Sequence, residues 1–201
     1  MKFRQARISL GDSHVVAMHN SVPDPTERLR PQAIGLTLAT EGKNETMIRR
    51  LNHAVLWVRD AQRSAEFYTT VLGFEAVATM GSQAVFLRAD GSTNDHDLGL
   101  FTVGNRPQPP AQSPGLYHLA WQVNTIEDLA ALRAKLVAAG SLLGESDHGV
   151  SKSLYAADPD GIEFEVMWAV PKENWPTGPS TERLDLDAEL ARWAAVDTAD
   201  Q

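Results

Sequence analysis

The sequence predicts an α+β fold in which two tandem βαβββ modules form one domain. An apolar segment of strand length occurs twice, at Leu51–Val58 and Leu116–Val123, and both copies match the pattern L-x-H-x(4)-V. A helical pattern follows each copy, and three short strand-length segments separated by turn residues follow each helical pattern. This repetition of one element order predicts two equivalent modules.

The first module, about residues 50–105, has clear helix boundaries. Asp60 is a predicted N-cap and Gly73 a predicted C-cap, with apolar residues at helical spacing between them. The strands predicted next are Phe74–Met80, Ala84–Ala89 and Asp97–Val103.

The second module, about residues 115–170, repeats this design. Thr125 is a predicted N-cap, Leu129, Leu132 and Leu136 share one helix face, and Gly140 ends the helix. The predicted strands are Leu142–Glu145, Ser153–Ala157 and Ile162–Trp168. Neither module can bury both faces of its sheet alone, so we expect the pair to close around a shared interior.

The ends of the chain differ from this patterned part. Residues 1–46 show no sustained periodicity, which is typical of a poorly ordered or loosely docked N-terminal extension. The paired-module domain is predicted at 47–170. The tail, 171–201, contains a stretch at Leu184–Ala195 that predicts a short helix, with Leu186, Leu190 and Trp193 packing on the domain.

The amino-acid composition excludes several classes of function. The hydrophobic fraction of 43% supports a globular core, and no apolar run approaches the roughly 20 residues of a membrane span. A net charge of −8 argues against nucleic acid or an anionic membrane as a partner. The absence of cysteine excludes thiolate ligands and a cysteine nucleophile, and with no signal-peptide pattern we expect a cytoplasmic location.

Histidines and glutamates supply the candidate metal ligands. Pairing of the modules would bring His53 and His118 to equivalent positions in a joint sheet. Glu163 and Glu165 share one face of the last predicted strand, opposite apolar residues that look like core. Two imidazoles and one carboxylate are the ligand set of non-haem Fe(II) oxygenases, and the spacing alone leaves either glutamate open as the third ligand.

These residues carry a family resemblance. His53, the pair Tyr117-His118 and the segment D-P-D-G-I-E-F-E at Asp158–Glu165 resemble the vicinal oxygen chelate superfamily. That superfamily includes glyoxalase I, fosfomycin-resistance proteins and extradiol ring-cleavage dioxygenases, and the resemblance covers about Leu51 to Trp168. It implies a metal site in the concave sheet with His53, His118 and Glu165 as ligands, since the family's ligand glutamate stands four residues after the glycine.

Other segments are similar to small single-domain type I extradiol dioxygenases. The stretch D-H-D-L-G-L implies that His96 is the acid–base histidine, and D-H-G-V-S implies a second active-site histidine, His148. Tyr155 precedes Glu165 by ten residues, as the family's active-site tyrosine does. Glyoxalase I has a fourth ligand, a glutamate on the last strand of its first module, where this chain has Leu98 and Leu100.

The resemblance therefore implies an extradiol dioxygenase that inserts O2 into a catecholic ring by meta-cleavage. It would use Fe(II), with Mn(II) as the alternative metal, and His148 and Tyr155 would donate hydrogen bonds to substrate. The competing hypotheses are a glyoxalase-like isomerase or thiol transferase and a non-catalytic small-molecule (drug) binding protein. By analogy we expect a homo-oligomer, a dimer, and we expect Trp57 and Trp121 to lie in the core.

Overall fold

The computed structural model describes residues 47–110, 113–194 and 196, so the predicted extension at 1–46 lies outside the described residues. The first module contains strands β1, β2, β3 and β4 and helix α1, which follows β1. Their bounds are β1 Ala54–Val58, α1 Ala61–Leu72, β2 Glu75–Met80, β3 Ala84–Arg88 and β4 Leu98–Thr102. The strands form one sheet in the order β1-β4-β3-β2, in which β1 and β4 run parallel and the other neighbours antiparallel. We call this sheet 1.

The second module repeats this topology. Its elements are β5 Leu119–Val123, α2 Ile126–Ala138, β6 Leu142–Asp147, β7 Ser151–Ala157 and β8 Glu163–Ala169. The sheet order is β5-β8-β7-β6, with β5 and β8 parallel. We call this sheet 2. The predicted pair of βαβββ modules is confirmed, although the strands form two separate sheets rather than the expected joint sheet.

Local signals in the sequence place the helices. The Asp60 carboxylate accepts hydrogen bonds from the backbone of Gln62 and Arg63, and Gly73 ends α1 with φ 81°. Helix α2 begins with a capping box in which Thr125 and Asp128 satisfy each other's backbone N–H groups. Each set of contacts satisfies donors or acceptors that a helix end leaves open, so the helix positions follow from local chemistry.

The helix-facing side of each sheet has its own hydrophobic core, and the two cores meet at Phe67, Leu72 and Trp121 to form what we call the shared core. The buried apolar residues are Leu56 and Val58 in β1 and Phe164, Val166 and Trp168 in β8, where the sequence predicts this alternation. Helix α1 contacts both sheets. The rings of Phe67 and Tyr68 lie 6.0 and 6.1 Å from that of Phe164, centroid to centroid. The opposite face of each sheet is turned away from this core.

A buried carboxylate joins the two modules. Asp160 accepts a hydrogen bond of 2.5 Å from the Arg59 backbone, and its Oδ1 lies 3.3 Å from Arg59 Nη1 and 3.5 Å from Arg63 Nη1. The Asp160 side chain is only 4% exposed. These contacts hold the turn between β7 and β8 against the start of α1.

The C-terminal segment packs on sheet 2. A 3-10 turn, Lys172–Asn174, follows β8, and helix α3 spans Leu186–Trp193 within the stretch where the sequence predicts a helix. Trp193 is buried, and its ring lies 5.6 Å from that of Trp168. Among the described residues, no helix has the length and apolar composition that a membrane span requires.

Two details differ from the sequence predictions. The first strand of each module begins at Ala54 or Leu119, so His53 and His118 lie just before their strands rather than within them. Trp57 is 68% exposed on the outer face of β1, so its expected place in the core is wrong. Trp121 packs partly buried against the shared core, as expected.

We expect Asp160→Ala to lower the free energy of unfolding by about 2–3 kcal/mol, because it removes a buried charged acceptor from a backbone N–H and two guanidinium groups. Urea unfolding followed by tryptophan fluorescence measures the change. The control is Glu75→Ala, which breaks an exposed pair with Arg88 and should cost less than about 1 kcal/mol. An equal loss of unfolding free energy in the two variants would contradict the role of Asp160 in joining the two modules.

Candidate metal centre

His118 and Glu165 lie side by side at the edge of sheet 2. His118 immediately precedes β5, and the parallel pairing of β5 with β8 places Glu165 opposite Ala120. His118 Nε2 lies 3.2 Å from Glu165 Oε2. Two donor atoms bound about 2.1 Å from one ion at a right angle are about 3.0 Å apart, so this spacing fits neighbouring ligands of an octahedral metal.

The surroundings of this pair suit a metal cation. Glu165 is buried, with 9% exposure, and His118 Nδ1 is buried without a hydrogen-bond partner. A buried carboxylate needs a positive partner, because burial removes the water that would otherwise stabilise its charge. Of the two glutamates on this face of β8, Glu165 is the one in contact with His118. Glu163 lies two residues earlier, opposite Ala157 of β7.

Tyr155 and His148 extend the same face of sheet 2. Tyr155 pairs with Glu165 across β7 and β8, and its ring centroid lies 5.7 Å from that of His118. His148 Nε2 lies 2.9 Å from the Tyr155 hydroxyl. Burial raises the pKa of Tyr155 above its usual range, and the Glu165 charge and Tyr117 add to the rise, so the phenol keeps its proton at neutral pH.

The loop that carries His148 is held by contacts that the sequence analysis missed. Lys152 is buried, with its ammonium 2.5 Å from Asp147 and 3.2 Å from Glu189 of α3. Burial would raise the pKa of Asp147, but its hydrogen bonds to Lys152 and to the Gly149 backbone outweigh this and lower it. The alternation of polar residues along β7 does not reveal this network, because its partners come from the distant tail.

The tail also contacts His148 directly. Thr181 Oγ1 lies 3.1 Å from His148 Nδ1, so the imidazole has a neighbour at each ring nitrogen. Glu182 pairs with Asp147 as an isolated β-bridge and fixes the backbone beside Thr181. The sequence pattern of the tail does not predict that it belongs to this group.

His53 and His96 form a second group on sheet 1. Their ring centroids are 4.6 Å apart. His96 Nδ1 lies 2.8 Å from Asp95, and the hydrogen bond to His96 lowers the pKa of that carboxyl. The loop before β4 is held by Asp97, which accepts hydrogen bonds from Ala89, Ser92 and Asn94.

The structure forms two separate groups of candidate site residues: one around His118 and Glu165 on sheet 2, and one around His53 and His96 on sheet 1. Among residues 47–110, 113–194 and 196, no cluster of three or more His, Cys, Asp or Glu side chains is close enough to share a metal ion. The cause is the shared core: the helix-facing sides of the two sheets pack together, so His53 and Glu165 lie on faces turned away from that core. The role of His53 as the third ligand stays a prediction.

The outer faces of the two sheets have different chemistry. On sheet 1 the rings of Trp57 and Phe101 are 5.8 Å apart, those of Phe101 and Phe86 5.7 Å, and those of Phe86 and His96 5.1 Å. On sheet 2 the outer-facing positions next to Glu165 belong to Tyr155 and, further along, to Met167 and the buried Ser153. Sheet 1 thus carries a row of aromatic rings on this face, and sheet 2 does not.

A cavity of about 680 Å³ lies elsewhere in the described residues, between the end of α1 and the start of α2. Its lining includes Phe74, Trp121 and Lys135 but none of the four histidines of the two groups. The histidine, glutamate and tyrosine side chains that could bind a metal or transfer a proton lie on the outer faces of the two sheets. We therefore place the candidate site on these faces rather than in the cavity.

Paired βαβββ modules, each with a histidine ahead of its first strand, define a class of α+β domain built from two repeated modules. The chain belongs to the Glyoxalase/Bleomycin resistance protein/Dioxygenase superfamily, whose family model matches residues 50–166. The resemblance seen in the sequence is therefore confirmed at the level of the superfamily.

Individual relatives span more than one activity. The chain is 33% identical over 129 residues to a catechol-2,3-dioxygenase of Bacillus subtilis, covering 62% of this chain and 43% of that protein. It is 29% identical over 120 residues to the glutathione transferase FosA of Serratia marcescens, covering 60% of this chain and 81% of that protein. This chain thus spans less than half the length of the catechol dioxygenase that it matches.

A solved structure shows the same fold. The glyoxylase/bleomycin resistance protein/dioxygenase domain of Frankia sp. EAN1pec superposes with a TM-score of 0.50 and 25% identity. The match covers 61% of this chain and 99% of that chain. The two modules described here are therefore a complete counterpart of that domain.

We expect Gly149→Ala to lower the free energy of unfolding by about 1–3 kcal/mol, because Gly149 has φ 74° and an added Cβ would lie 2.6 Å from Pro176 Cγ. Urea denaturation provides the measurement. Gly144→Ala is the matched control, since its Cβ meets open space and the change should stay within about 0.5 kcal/mol. Equal effects at both glycines would show that the tail does not press on the His148 loop.

We also expect the Tyr155 phenol to lose its proton only above about pH 10, the ordinary pKa of tyrosine, because its pKa is raised in the folded protein. Tyrosinate absorbance, measured as the difference between wild type and Tyr155→Phe, follows this single group. In urea the step should return to about pH 10. A folded-state step at or below that pH would contradict the burial of the hydroxyl beside Glu165.

Proposed function

We propose that the protein is a metal-dependent extradiol dioxygenase that inserts O2 into a catecholic ring, with Fe(II) as its metal. The observation that carries the proposal is the meeting of His118, Glu165, Tyr155 and His148 on the outer face of sheet 2. The similarity to a catechol-2,3-dioxygenase supports it. In the net reaction both atoms of O2 enter the product, and one ring bond breaks beside the two hydroxylated carbons.

His118 and Glu165, with His53, would hold the metal, because these donors are the N and O ligands that non-haem iron prefers. When bound, Fe(II) would bring the catechol oxygens and O2 together at its open positions, and the catechol itself would supply the electrons that O2 takes up. The charge of Glu165 leaves the occupied site with a net positive charge, which attracts a catecholate.

His96 would move a proton between the substrate and the product. Its Nδ1 lies 2.8 Å from Asp95, and because a carboxylate can only accept, Nδ1 would donate to Asp95 and leave Nε2 available for proton transfer. Its ring lies 4.6 Å from that of His53, close to the proposed metal ligand. His96 would take a proton from the substrate hydroxyl and later return it to the product.

Tyr155 and His148 would orient the substrate oxygens. The raised pKa of Tyr155 keeps its hydroxyl protonated, so it can donate one hydrogen bond beside Glu165. His148, held between Tyr155 and Thr181, supplies a second polar group at the same place. Donors fixed in advance stabilise negative charge that develops on oxygen better than mobile water does.

An isomerase or thiol transferase on the same scaffold is the second candidate, favoured by the similarity to the glutathione transferase FosA. Leu98 and Leu100 of β4 are fully buried in the core, and the outer-facing residues of that strand are Gly99 and Phe101. Strand β4 therefore has no carboxylate on its outer face, which favours the dioxygenase. A non-catalytic binding protein would have no need of the His96–Asp95 pair.

We expect Fe(II)-loaded protein to consume O2 when mixed with some members of a catechol panel, and to form a yellow ring-opened product. An oxygen electrode and visible absorbance measure both, and anaerobic mixing is the control. Iron binding without O2 uptake across the panel, together with turnover of a hemithioacetal or of a thiol with an epoxide, would favour the second candidate.

Two substitutions separate the roles within the site. Glu165→Ala should weaken Fe(II) binding at least about tenfold, whereas His96→Phe should bind Fe(II) normally and lose about 10²–10⁴-fold in ring cleavage. Equilibrium dialysis and initial rates provide the two readouts, with Glu163→Gln as the matched control that should change neither. Equal loss of metal in the first two variants would contradict this division.

A further inference from the structure

The cavity of about 680 Å³ between the two modules has no part in the proposed function. Residues from the end of α1, from β2 and from the end of β3 line one side of it, and residues of β5 and α2 line the other. Its volume falls in the range of about 300–1,000 Å³ that is typical of pockets for small molecules. The cavity is therefore large enough to hold a small organic ligand.

Part of the cavity lining is aromatic and already packed. The rings of Phe74 and Trp121 lie 5.0 Å apart at an interplanar angle of 82°. Phe74 is buried, and Trp121 and Leu72 each pack against the cores of both modules. Because these side chains are held in place without a ligand, a planar ring could pack against them at little cost in side-chain entropy.

The charged residues of the lining differ in whether they already have a partner. Arg88 pairs with Glu75 at 2.7 Å, and Asp128 is held in the capping box of α2. Within residues 47–110, 113–194 and 196, by contrast, the Lys135 ammonium and the Asp90 carboxylate have no hydrogen bond or ion pair. The cavity thus offers a ligand one unpaired cation and one unpaired carboxylate.

These two charges come from different modules. Lys135 lies on α2 of the second module, and Asp90 lies in the turn that follows β3 of the first. An ion pair with each of them requires a ligand that carries both a negative and a positive group. A ligand with only one of these groups would leave either Lys135 or Asp90 unpaired.

We propose that this cavity binds a free aromatic amino acid. Its ring would pack against Phe74 and Trp121, its carboxylate would pair with Lys135, and its ammonium group would pair with Asp90. The bound amino acid would bridge the two modules. This binding requires no metal and does not depend on the proposed dioxygenase activity.

Isothermal titration calorimetry of the full-length protein with L-tryptophan tests the proposal. Two analogues separate the charges: tryptophan amide lacks the carboxylate, and N-acetyl-tryptophan lacks the ammonium group. We expect L-tryptophan to bind about fivefold or more tightly than either analogue, because each analogue loses one ion pair.

Two substitutions assign the two charges. Lys135→Gln should weaken the binding of L-tryptophan about fivefold and leave tryptophan amide unchanged. Asp90→Asn should likewise weaken L-tryptophan about fivefold and leave N-acetyl-tryptophan unchanged. Both residues are exposed, so neither change should affect folding, which urea unfolding checks.

A steric variant locates the ligand. Ala131 of α2 lines the cavity, and Ala131→Trp should weaken the binding of L-tryptophan at least about tenfold by filling the space. Ala134→Trp is the matched control, because Ala134 lies on the same helix but outside the lining, and its affinity should equal that of wild type.

Several results would overturn the proposal. They are no heat of binding with L-tryptophan up to its solubility limit, equal affinities for L-tryptophan and both analogues, and equal effects of Ala131→Trp and Ala134→Trp. Binding of L-tryptophan only after loading with Fe(II) would place the ligand at the proposed metal centre and would also overturn it. Metal-independent binding of L-tryptophan with no ring cleavage of any catechol would refute the dioxygenase and support the amino-acid site.

Discussion

The packing of α1 between the two sheets governs the rest of the structure. Because Phe67 and Tyr68 contact Phe164 of β8, the helix-facing sides of both modules share one core, and their opposite faces point outward. Asp160 fixes the same arrangement from the turn after β7. The candidate site residues therefore lie on the sheet faces that are turned away from this core.

This arrangement explains why the candidate site is divided. His118, Glu165 and Tyr155 depend on the register of β5, β8 and β7, which is fixed within sheet 2. His96 and His53 depend on the Asp97 loop and the segment before β1 in sheet 1. Each half is positioned by its own sheet, and among residues 47–110, 113–194 and 196 no three such side chains come together.

Several of these features were predictable from the sequence because they follow from local rules. The caps at Asp60 and Thr125 and the alternation of buried residues in β8 need only near neighbours. The sides on which two modules pack depend on contacts between distant residues, which explains the wrong expectation of a joint sheet and of a buried Trp57. The support of His148 by Thr181 was missed for the same reason.

The most direct measurement of the proposed metal centre is anomalous diffraction at the iron edge from crystals of the Fe(II)-loaded protein, grown without oxygen. We expect one strong peak per chain within bonding distance of His118 Nε2 and the Glu165 carboxylate, on the outer face of sheet 2. Iron bound elsewhere, with His118 and Glu165 still contacting only each other, would contradict the assignment of this pair as the metal centre.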